Sequence, residues 1–187
     1  NFKAWQKVML DYGVVILADD YFPIEGMAIE EIAKKFCRIG GVSEDNVPDI
    51  LRKKDEYYLA DNNFALYPGV EDLLTRLNVL KKPIAVVSAG RWERLVLSQP
   101  LGFFSHFQVI VTAGKVQRGK PYPDPYLKAA EEINVPITSC IVVENSPLGI
   151  KAGKAAGAYS IGISSTLPAR VLLEAGADQV VPNFEAL

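Results

Sequence analysis

The chain has 187 residues, of which 49% are hydrophobic, and its 20 basic and 22 acidic side chains leave a net charge of −2. That is enough apolar material for one cored domain or a domain with a small insert. The balanced charge offers no field for nucleic acid or anionic lipid, and no apolar run approaches the roughly 18 residues needed to span a bilayer.

Two cysteines are too few for a disulfide framework. Cys140 opens the apolar run Cys140-Ile141-Val142-Val143 and is expected to be a buried, reduced thiol, which suits a cytoplasmic setting. His106 is the single histidine, which argues against a zinc cluster and leaves no candidate Ser-His-Asp triad.

Residues 1 to about 66 read as helices without strand-like alternation. Phe2, Trp5, Val8, Met9 and Tyr12 recur at helical spacing up to Gly13. A second helix is predicted from Ile24 to Ile39, closed by Gly40-Gly41, and a third from Ser43-Glu44-Asp45 through Leu59. These would form a small helical bundle. At Tyr67-Pro68-Gly69 the pattern changes. Helices at 70–80, 91–98, 124–134, 146–156 and 169–175 then alternate with strands at 83–88, 107–112, 140–144, 159–163 and 179–181. Such alternation predicts an α/β fold with a parallel sheet covered by helices on both faces. The expected division is a helical unit, residues 1–66, and a Rossmann-like unit, residues 67–187.

Three short motifs fall at strand ends or helix starts: Val86-Val87-Ser88-Ala89-Gly90, Gly119-Lys120-Pro121, and Ile141-Val142-Val143-Glu144-Asn145-Ser146. In open α/β sheets, ligands bind beyond the carboxyl ends of the strands. A hydroxyl, an ammonium and a carboxylate delivered there, with backbone N–H groups from following helices, suit phosphate and a hard cation. Each residue also has a plainer reading. Ser88 would serve as a helix N-cap, Lys120 as a solvated loop lysine, and Asn145 as the N-cap of the next helix. Glu144 has no packing reason to follow Cys-Ile-Val-Val. The order of all three motifs favours a site.

That order resembles the haloacid dehalogenase superfamily across essentially the whole chain, and within it the group of β-phosphoglucomutase and related sugar-phosphate phosphatases. The resemblance implies a Rossmann-like core with a small helical cap, and a Mg²⁺-dependent phosphatase of small phosphorylated metabolites, acting as a monomer without nucleic-acid or membrane partners. It gives Ser88 and Lys120 catalytic roles, Glu144 and Asn145 the metal, and Ala89, Gly90, Arg91 and Lys54 the substrate. For Lys54 and Arg91 a solvated surface charge is the plainer expectation. The family's first motif, a strand ending in Asp-x-Asp, supplies the nucleophile. Asn1-Phe2-Lys3-Ala4-Trp5 matches the stretch that follows it, so that strand is expected upstream of Asn1 and between the strands carrying the Ser88 and Glu144 motifs. There are departures too. Glu-Asn replaces a pair of acids, Asn1 stands where a His is usual, and Ile29 where the phosphomutases have a phosphate-gripping arginine. The last disfavours a phosphomutase, and Glu144 disfavours a dehalogenase. A catalytically inactive binding module is the alternative from another class.

Overall fold

The computed structural model describes residues 1–61 and 65–187. Residues 62–64, within the segment expected to be helical, lie outside the described residues.

Helix α1 (Phe2–Leu10) buries Ala4, Trp5, Val8 and Met9. After a short α2 (Ala18–Tyr21) and a 3-10 turn at Phe22–Ile24 comes α3 (Ile29–Gly40). Its Ile29, Ile32, Ala33, Phe36 and Cys37 form one buried stripe, and Gly41 ends it in the left-handed region at φ 67°. Helix α4 (Val47–Ala60) turns Val47, Ile50, Leu51 and Lys54 to the same core. The predicted helix start at Ile24 is therefore five residues early. Gly26 breaks the run with φ +88°, and a Cβ there would lie 3.0 Å from Ser146 Oγ. A bare glycine lets this loop touch the sheet half of the molecule.

The second half alternates as the pattern predicts. It comprises α5 (Val70–Val79), β1 (Ala85–Val87), α6 (Trp92–Ser98), β2 (Val109–Val111), α7 (Asp124–Glu132), β3 (Ile141–Glu144), α8 (Pro147–Ala156), β4 (Tyr159–Ile163), α9 (Ala169–Glu174) and β5 (Gln179–Val181). Every described ladder is parallel, and the strands fall into two sheets, β1-β2 and β3-β4-β5. Helix α7 packs on β1, β2 and α8, which joins the two sheets through their helical cover. Between β1 and β3 no ladder is formed among the described residues. Ile141 and Val143 of β3 are 63% and 39% exposed although both are apolar.

Cys140 differs from the expectation. It is only partly buried and precedes β3, and its Sγ lies 3.4 Å from the Pro136 carbonyl. Both cysteines are free thiols. Among the described residues no helix is long and apolar enough to cross a membrane.

Candidate active site

Ser88 directly follows β1, and its amide donates to the Val111 carbonyl at 2.9 Å. Its hydroxyl does not cap α6. The N-cap position of that helix is Arg91, and Ser88 Oγ instead accepts the Gly90 N–H at 3.0 Å. Likewise Asn145 is not the N-cap of α8. Ser146 takes that role by accepting the Gly149 N–H at 3.0 Å. Both plainer readings from sequence thus fall away, and Ser88 and Asn145 are left to face the space beyond the strand ends.

Lys120 is not a solvated loop lysine. It is 8% exposed, forms an ion pair with Glu144 Oε1, and lies 3.4 Å from the Val87 carbonyl. The same Glu144 oxygen accepts the Tyr126 hydroxyl at 2.6 Å, and Oε2 accepts from the Ser146 hydroxyl at 3.2 Å. Burial alone would raise the Glu144 carboxyl, but the Lys120 ammonium and these hydrogen bonds outweigh it and hold it below its ordinary 4.5. One buried charge pair therefore bridges the carboxyl ends of β1 and β3.

Gly149 permits this placement, because a Cβ there would collide with the Glu144 carboxylate. Gly149→Ala is expected to lower the melting temperature by displacing that side chain, at a cost of about 1–3 kcal/mol. An unshifted melt would show that the carboxylate has room to move.

A cavity of about 300 Å³ opens above the pair. Its walls include Ser88, Ala89, Gly90, Lys120, Glu144 and Asn145 from the strand ends, and Glu25, Gly26, Ile29 and Lys54 from the helical half. Lys54 contradicts the expectation of a solvated charge. It is 1% exposed, donates to Asn1 Oδ1 at 3.2 Å and Asp55 Oδ1 at 3.3 Å, and sits over the rings of Tyr58 and Trp5. Burial, with Arg94 nearby, lowers its pKa from 10.5 to about 8. Arg91 is not among the cavity-lining residues. It is partly exposed and pairs with Asp55 at 2.8 Å.

Two charged wall residues have no counterpart in the sequence reading. Glu25 accepts from the Tyr21 hydroxyl and from Asn145 Nδ2, each at 3.2 Å, and burial raises its carboxyl pKa. Arg94, buried on α6, is the other, and no local motif marks it.

Glu144 and Asn145 offer hard oxygen donors of the kind that hold Mg²⁺ beside a phosphate and water. Asn145 spends its amide N–H on Glu25, so its carbonyl oxygen remains an acceptor. Glu144 would share its carboxylate between the cation and Lys120. Among the described residues no group of three His, Cys, Asp or Glu side chains is placed to hold a metal ion.

In a parallel α/β sheet, a cavity beyond the carboxyl ends of the strands is where ligands bind. Residues 13–157 match the family model for haloacid dehalogenase-like hydrolases, and the chain belongs to that family. It is 30% identical to 2-deoxyglucose-6-phosphate phosphatase 1 of Saccharomyces cerevisiae over 197 aligned positions, covering 96% of this chain and 79% of the relative. Glycerol-1-phosphate phosphohydrolase 2 of the same yeast is 37% identical over 135 positions, covering 64% of this chain and 51% of that protein. Among solved structures, β-phosphoglucomutase from Clostridium difficile superposes with a TM-score of 0.86 at 25% identity, covering 100% of this chain and 84% of the other.

Proposed function

We propose that the protein is a Mg²⁺-dependent phosphatase of small phosphorylated metabolites, sugar phosphates in particular, with residues 1–66 acting as a cap over the core. The observation that carries the reading is the buried Lys120–Glu144 pair beside Ser88, at the strand ends and under a helical roof. The yeast relatives, phosphatases of small phosphorylated compounds by name, support the substrate class.

In this reading Ser88 Oγ and the N–H groups after it hold equatorial phosphoryl oxygens, and Lys120 offsets the charge that builds as phosphorus is attacked. Glu144 and Asn145 would hold Mg²⁺, which supplies charge neutralisation at the phosphate. Cap residues including Ile29 and Lys54 would keep water from the closed site. The nucleophile is assigned to an aspartate on a strand seated between β1 and β3. Their facing edges, unpaired among the described residues, and the exposure of Ile141 and Val143 favour that position. A second acid on that strand would protonate the leaving oxygen.

The test is phosphate release by the full-length protein from a panel of sugar monophosphates, with and without chelator. Activity should vanish on metal removal and return with Mg²⁺, and Glu144→Ala, which also weakens the fold by stranding Lys120, should prevent the return when assayed at a temperature where its circular dichroism is still native. Full activity of Glu144→Ala without metal would overturn the mechanism. A folded wild-type protein that binds the same phosphates without turning them over would establish the binding-module alternative.

A further inference from the structure

We infer that Arg94 forms a second anion subsite at the seam between α4 and α6, so that the substrate carries another anionic group beside the phosphate that is hydrolysed. This rests on the phosphatase reading above and narrows its substrate class.

Arg94 is 8% exposed, lines the cavity, and its Nε is buried with no hydrogen-bond partner among the described residues. The nearest carboxylate, Asp55, is 3.7 Å from that nitrogen, too far for a hydrogen bond. Asp55 is also claimed by Lys54 at 3.3 Å and Arg91 at 2.8 Å. Three cations therefore face one carboxylate, and two of them, Lys54 and Arg94, are buried. Buried charge that is not matched by an opposite charge costs several kcal/mol, so this seam is strained electrostatically until an anion enters.

The guanidinium is also held in place. Its Cζ lies 4.7 Å from the centre of the Tyr58 ring, and a Cβ on Gly90 would collide with its Nη2, so it is held between that ring and the turn that follows Ser88. A planar, fixed fork suits carboxylate or phosphate oxygens better than sugar hydroxyls. The hydrolysed phosphate does not account for this surplus. Lys120, assigned to that phosphate, is balanced by Glu144 at the β1 and β3 ends, whereas the excess charge gathers on α4 and α6. The remaining wall carboxylate, Glu25, is bonded to Tyr21 and Asn145 rather than to Arg94.

The experiment is calorimetric titration of the full-length protein, Arg94→Met and Arg94→Lys with three probes. These are a neutral sugar monophosphate, a phosphorylated sugar acid of the same carbon number, and a sugar bisphosphate. The wild-type protein should bind at least one doubly anionic probe tenfold or more tightly than the neutral one, and the tighter of the two identifies carboxylate or phosphate as the second group. Arg94→Met should erase that preference. Should it fail to fold, Arg94→Lys, which keeps the charge and loses the fork, should cut the preference at least threefold. A wild-type protein without preference, or a preference that survives intact in a folded variant, overturns the assignment alone. Failure to bind any of the three probes overturns the phosphatase reading and this inference together.

Discussion

Lys120→Met is expected to destabilise the fold by about 3–5 kcal/mol as well as to abolish most turnover, because removing one partner of a buried ion pair strands the other. The partner here is Glu144, whose side chain is 9% exposed and whose neighbours otherwise are Tyr126 and Ser146. A site lysine read from sequence alone predicts an effect confined to turnover, and a solvated loop lysine almost no effect on either quantity; burial of the pair is what adds the loss of stability. Lys120→Met/Glu144→Gln should recover most of the stability, since no charge is then left in the low-dielectric site, yet turnover should stay low. Loss of a charge-stabilising contact in a water-poor site is commonly worth about 3–4 kcal/mol of barrier, a factor of roughly several hundred in rate. Urea unfolding and turnover measured on the same preparations separate the two effects. If the single variant keeps wild-type stability, the pair is not formed in solution. The pH dependence has a definite sign. Glu144 is held below its ordinary 4.5, so the pair's stabilisation is complete above that value and is lost as pH falls through the lower folded value. The double variant should lack this acid-side loss.

The sheet half of the molecule was largely legible because turn residues and short apolar runs punctuate it. Tyr159–Ile163 and Gln179–Val181 fall where the pattern puts them, and the other strands are one or two residues shorter at their ends. The helical half was less legible at one place. An apolar run beginning at Ile24 reads as helix, and only the approach of Gly26 to Ser146 explains the break. The strand-end residues Ser88, Lys120, Glu144 and Asn145 could be found because each motif is local, and the structure brings all four to one cavity. Their mutual contacts could not be read, since Lys120 and Glu144 lie 24 residues apart and Asn145 reaches Glu25 across 120. Lys54 is a different failure. Val47, Ile50, Leu51 and Lys54 follow helical spacing, so the pattern put Lys54 on the buried face, and the general preference of lysine for solvent overrode it. Arg94 and Asp55 are invisible for the same reason as Glu25, because their meaning lies in partners on other elements.

Lys54 also gives a pH-dependent signature that the other wall residues do not. Burial, and then Arg94, bring its pKa from 10.5 to about 8, so its ammonium is present at neutral pH and disappears just above it. If that ammonium helps hold an anionic substrate, kcat/KM should fall as pH rises through about 8, mainly through KM. Lys54→Arg, whose charge persists, should move this alkaline limb upward, and Lys54→Met should remove it along with most of the affinity. Stability should run the other way. Between about 8 and 10.5 the unfolded chain still binds a proton that the folded protein has released, so this contribution to stability rises with pH across the window. At neutral pH the same shift corresponds to roughly 3 kcal/mol spent keeping a buried ammonium charged. Lys54→Met should therefore melt higher than the wild-type protein near pH 7, with the difference shrinking toward pH 10. A variant that lost both affinity and stability would make Lys54 a structural lysine. A limb that stayed near 8 in Lys54→Arg would assign the titration to another group in the cavity.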